Sequence, residues 1–99
     1  MGWSNGGAYR SATAMHELGT HMAHALPAGQ WRTVRGLFDL AQTAGGPFSF
    51  SPADTRRIAD VFRAAAGHPL MPAFWAGSAS ELAEVAAAHV RAGKRWEWR

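Results

Sequence analysis

The sequence predicts an α+β domain: about four helices packed with a small sheet of two or three strands. Three observations predict it. Four stretches repeat apolar residues at helical spacing between Pro and Gly stops. Two short segments, Phe48-Ser49-Phe50 and Trp96-Glu97-Trp98, alternate rings with polar residues at period two. Of the 47% of residues that are apolar, 21 residues are Ala, against 11 Val, Ile and Leu, 11 aromatics and 4 Met. Bulky rings must therefore fill the space between Ala-faced helices.

Residues 11 to 26 form the first expected helix, with Met15, Leu18, Met22 and Leu26 on one face, Ser11 or Thr13 as cap and Pro27 as stop. The second covers about 28 to 44, with Trp31, Val34, Leu37, Phe38 and Ala41 inward and Gly45-Gly46-Pro47 ending it. Arg35 and Asp39 form an i,i+4 pair on its wet side. Phe48-Ser49-Phe50 reads as a strand running directly into a third helix. There Ser51 suits the N-cap, Pro52 the first helical position, and Asp54 the third, where a carboxylate favours the helix dipole. This helix turns Ile58, Val61, Phe62 and Ala65 to the core and stops at Gly67. After the linker His68 to Pro72, the fourth helix is required from about 80 to 92. Its start falls either at Pro72, with a weak point at Gly77, or at a capping box of Ser78 and Glu81; the longer helix is preferred. Residues 95 to 99 close the chain as a strand with Trp96 and Trp98 on one face. Phe48/Phe50 and Trp96/Trp98 are natural cross-strand partners, and Trp3 in the strand-like opening can supply a third strand. The expected sheet is thus formed by the N-terminus, residues 47 to 50 and the C-terminus, within one domain spanning residues 1 to 99.

Charged residues make up only 17%, so composition does not predict disorder, and no apolar run approaches a membrane span. The formal net charge of +3 comes from 9 Arg and 1 Lys against 7 acids. Such an Arg bias beside abundant Ala, Gly and Pro is what GC-rich codons produce, which weakens any inference from charge to nucleic acid. Zero cysteines exclude disulfides, a thiolate nucleophile and Cys-ligated metal within these residues. The opening Met-Gly-Trp-Ser-Asn-Gly-Gly lacks the pattern of a signal peptide, so the expected location is the cytoplasm.

The Met-Gly-Trp opening, the run from Pro47 to Asp54 followed by Arg57-Ile58-Ala59-Asp60, Met71-Pro72 before a Trp, and the closing Trp96-Glu97-Trp98-Arg99 together resemble a family of short proteins of unknown function from actinobacteria and their phages. The resemblance spans the whole chain. It implies an origin and supplies neither an activity nor a functional residue.

Candidate chemistry is sparse. His16 and His21 are five apart, about 140° round a helix, so they miss the zinc-protease spacing of four. Glu17, His21 and His24 do share an arc of about 60° and are a weak candidate for a divalent metal. Their stripe lies roughly 130° from the apolar one, which points it to water. His89 falls within the apolar stripe of the last helix and reads as a half-buried, hydrogen-bonded histidine. No nucleophile elbow, phosphate loop or dinucleotide fingerprint is present, so neither catalytic residues nor a cofactor are expected. The expected function is a small non-enzymatic module that binds another protein, as an accessory or regulatory factor. Trp31 and Trp75 are interface candidates, with Ala83 and Ala87 as the place where a partner helix or a second copy of the chain would pack. The alternative is an Arg-rich nucleic-acid binder using Arg57, Arg91, Lys94, Arg95 and Arg99, with Trp96 and Trp98 interleaved for stacking. No membrane partner is expected.

Overall fold

The computed structural model describes residues 1–99, in the order β1 (Gly2–Ser4), β2 (Tyr9–Ser11), α1 (Ala12–Ala25), α2 (Ala28–Thr43), β3 (Phe48–Phe50), α3 (Pro52–Ala66), α4 (Ala73–Arg91) and β4 (Trp96–Trp98). The local punctuation works as the residue types require. Of the two candidate caps, Ser11 starts α1: its hydroxyl accepts the Ala14 N–H at 3.0 Å. The Ser51 hydroxyl accepts the Asp54 N–H at 3.1 Å and Pro52 opens α3. Pro27 separates α1 from α2, and its carbonyl accepts the Trp31 N–H.

Helix α4 takes the longer of its two expected courses and shows no break at Gly77. Ser78 and Glu81, which resemble a capping box, instead hold a residue distant in sequence: Arg10 donates from Nε to the Ser78 hydroxyl and from Nη2 to Glu81, each at 3.0 Å. At its other end α4 closes in a Schellman motif. Gly93, at φ +66°, lets its own N–H reach the Val90 carbonyl and the Lys94 N–H reach the His89 carbonyl.

The strands differ from the expected single sheet. Phe48 pairs with Trp98 and Phe50 with Trp96, as the alternating rings predict, but Trp3 does not extend this ladder. It pairs with Arg10 in a separate N-terminal hairpin, Gly2 to Ser11. Asn5 makes that reversal. Its N–H donates to the Ala8 carbonyl, its side-chain oxygen accepts the Ala8 N–H, and Gly6 sits at φ +82° between them. The two ribbons meet at one reciprocal pair, in which Ser4 and Arg99 exchange main-chain N–H to carbonyl bonds of 2.9 Å.

A connected series of rings joins helices to ribbons. Trp31 stacks on Phe38, Phe38 meets Phe62, Phe62 meets Trp96, Trp96 meets Trp98, Trp98 stacks on Phe48 and Phe48 meets Trp3, with centroid separations of 4.9 to 6.5 Å. The indole N–H groups of Trp3 and Trp96 donate to the carbonyls of Ala41 and Asn5, both at 2.8 Å. Helices α3 and α4 share the most extensive contact, where Ala59, Ala79, Ala83 and Ala86 let the backbones approach closely.

Two helical glycines show how packing decides the sign of one substitution. A Cβ on buried Gly19 would come within 2.9 Å of the Phe38 ring, whereas one on exposed Gly36 would meet nothing. Gly19→Ala is expected to cost about 1–3 kcal/mol through overpacking, and Gly36→Ala to stabilise by about 0.5–1 kcal/mol through helix propensity. Urea unfolding midpoints moving in the same direction would contradict this account.

Candidate functional site

Leading the exposed apolar surface is the start of α4. Phe74 is 75% exposed, the most open of the Phe, Tyr and Trp rings in the chain. It stands edge-on to Trp75 at 4.9 Å and 89°, and half-buried Trp75 in turn stacks on His21 of α1 at 5.7 Å. Pro72 fixes this placement. The helix begins at the next residue, so adjacent Phe74 and Trp75 lie about 100° apart round its axis and only one can turn to the core. A cleft of about 480 Å³ runs beside the rings and is also lined by Arg10, Gly77, Ser78 and Glu81. Arg10 donates to Ser78, the Tyr9 carbonyl and Oε1 of Glu81, which leaves Oε2 of Glu81, 56% exposed, as the acceptor on the cleft's edge.

The residues singled out from sequence fall in several places. Trp75 belongs to this surface. Trp31 is half-buried against Phe38 and borders a separate groove of about 320 Å³ between α1 and α2. Ala83 is 2% exposed, enclosed by the contact between α3 and α4, and so cannot receive a partner helix. Ala87, half-buried, lies at the edge of the same seam beside Arg56, Arg63 and Arg91. Phe74 was not among the sequence candidates; its signal is the Phe-Trp pair in the first turn after Pro72.

No three His, Asp or Glu side chains are gathered so as to hold one metal ion. Glu17 and His24 are exposed on α1, while His21 is engaged with Trp75. His89 is half-buried, with Nδ1 2.9 Å from the Val85 carbonyl. His68 accepts the Leu70 N–H in the linker.

A family model described as a domain of unknown function, DUF7739, matches residues 3–99. The chain belongs to the DUF7739 family. No curated protein and no solved structure matches it.

The basic residues of α3 and the C-terminal end of this DUF7739 domain divide into three sets. Arg57 is ion-paired with Asp54 on α3. Arg91 joins Arg56 and Arg63 along the groove between α3 and α4, where Asp60 approaches Arg63 at 3.6 Å. Lys94, Arg95 and Arg99 gather around a depression of about 470 Å³ whose other walls are Ser4, Gly6, His89 and Glu97. Arg99 hydrogen-bonds the Glu97 carboxylate through Nε and Nη2. That bond, the Arg99 charge and the more distant Arg95 charge hold the Glu97 carboxyl below the usual carboxylate range. Trp96 and Trp98 are both fully buried, so the stacking expected of them in a nucleic-acid surface has no exposed ring to work with.

Proposed function

We propose that this domain is a non-enzymatic module that binds another protein by seating an apolar side chain of its partner against Phe74 and Trp75. The observation that carries this reading is Phe74 itself: a 75% exposed ring, braced by Trp75 rather than left on a loose loop. Burying a Phe side chain yields about 1.5–3 kcal/mol, and aromatic residues in preformed surroundings are the usual centres of protein interfaces. The partner segment that fits places its apolar side chain on the rings and a donor group towards Glu81. No helix of the chain is long and apolar enough to cross a membrane. The Arg-to-Lys ratio and Ala content support an actinobacterial or phage source, in which the module acts as an accessory or regulatory factor.

The test is site-specific. A photo-crosslinking amino acid in place of Phe74 is expected to yield one discrete heterologous adduct in actinobacterial cells, and the same group in place of exposed Arg35 none. Glu81→Gln, which keeps an acceptor for Arg10, should reduce the adduct at position 74 while leaving the thermal melt within a few degrees of the native chain. An adduct of two copies of the chain would identify the partner as the protein itself. Equal, diffuse labelling from both positions would overturn the proposal.

A further inference from the structure

The depression at the C-terminal end of α4 is separate from the surface around Phe74. The 19 residues of α4 span about 28 Å, and the two sites lie towards its opposite ends. Two parts of the chain distant in sequence build the depression: the hairpin reversal with Ser4 and Gly6, and the C-terminal stretch that runs from His89 in the last turns of α4 to Lys94, Arg95, Glu97 and Arg99. None of its lining residues is apolar. Arg99 compensates Glu97, the one carboxylate side chain in the lining. Lys94 and Arg95 make no ion pair, and Arg95 is oriented by donation from its Nε to the Ser49 hydroxyl at 3.0 Å. That bond leaves both terminal nitrogens of the guanidinium available. The Gly6 N–H finds no acceptor within the protein, and a Cβ at Gly6 would lie 2.7 Å from His89 Nε2. The absence of a side chain there keeps main chain and imidazole together at the rim.

We propose that this depression binds a single phosphate group, held by the Lys94 ammonium and the Arg95 guanidinium with the Gly6 amide beside them. A point charge and a planar fork that line the same recess suit an anion with several acceptor oxygens. The helix dipole accounts for cations near the end of α4, but not for a recess that also takes in Ser4 and Gly6 of the N-terminal hairpin. The volume of about 470 Å³ leaves room for the remainder of a small phosphorylated molecule. Because Trp96 and Trp98 are buried, neither indole is offered to a base. The groove with Arg56 and Arg91 differs: it is about 150 Å³, floored by Ala59, Ala87 and Val90.

The experiment titrates the full chain, at low ionic strength and followed by amide NMR, with inorganic phosphate, glycerol 3-phosphate and a ten-nucleotide thymidine oligomer in turn. Saturable shifts at Gly6, Lys94 and Arg95 are expected with both small phosphates. The double variant Lys94→Gln/Arg95→Gln should bind glycerol 3-phosphate about tenfold more weakly. Arg56→Gln/Arg91→Gln, which loses the same charge from the other groove, should bind within about twofold of the native chain. All these side chains are exposed, and native-like spectra confirm that each variant is folded. Equal weakening by the two double variants would overturn the proposal, because net charge alone would then explain binding. Absence of shifts at millimolar phosphate would also overturn it. So would an oligomer affinity that falls steeply with salt and depends equally on both grooves, which would mark an extended polyanion surface.

Discussion

Removing residues 95 to 99 is expected to abolish the cooperative thermal transition of the chain. Trp96 and Trp98 are both 0% exposed, at the centre of the core. Deleting a buried Trp side chain to Ala costs about 3–5 kcal/mol, and the two together approach the roughly 5–15 kcal/mol that a whole small domain commands. The truncation does more than empty the core. It strips β3 of its only strand partner, removes the donor to the Asn5 carbonyl and breaks the Ser4 to Arg99 pair that ties the ribbons. Calorimetry checks this directly: a single transition within a few degrees of the full chain would contradict it. Two milder variants separate the contributions of the indoles. Trp96→Phe leaves the buried Asn5 carbonyl without its donor, whereas the Trp98 Nε1 has no acceptor to lose. Trp96→Phe should therefore be the more damaging by about 1–3 kcal/mol, although both changes remove the same volume.

How much of this was legible in the residues depends on whether the signal is local. Ser11, Ser51, Pro27 and Pro52 act within one turn of where they stand, so the helix starts could be placed from residue type. The pairing of β3 with β4 was legible because both strands carry rings at period two and only one antiparallel register matches ring to ring. The N-terminal hairpin was not. Tyr9-Arg10-Ser11 shows no apolar alternation, since Arg10 extends across to Ser78 and Glu81 on α4. The same long-range bonds explain why an apparent capping box lies inside a helix. Site residues fared similarly. Neighbouring Arg56 and Arg57 turn to different faces, one to the seam with α4 and one to Asp54. Ser4 and Gly6 meet Lys94 only because the chain ends pair. Helical spacing could place Ala83 on the flank of its apolar stripe, but could not show that α3 covers it.

Phe62→Ala is expected to cost about 3–5 kcal/mol, because this ring joins two otherwise separate groups of aromatics. Phe62 is fully buried, and its ring meets Phe38 at 6.0 Å on one side and Trp96 at 6.5 Å on the other. The remaining ring pairs of the connected series lie wholly on the helical side, between Trp31 and Phe38, or wholly on the ribbon side, among Trp96, Trp98, Phe48, Phe50 and Trp3. Phe62 alone connects the two groups. Seven of the buried core residues are Ala, which have no side chain beyond Cβ to shift into the vacated space, so the site should collapse poorly and retain most of its cavity. Phe62→Leu keeps apolar volume but gives up both edge-to-face pairings, each of which is worth about 0.5–1.5 kcal/mol, so its cost should fall below that of Phe62→Ala. Urea unfolding followed by Trp fluorescence measures both variants. If Phe62→Ala loses less than about 1 kcal/mol, far below the usual range for such a truncation, helices and ribbons are joined by other contacts, and the ring series is a consequence of the fold rather than its link.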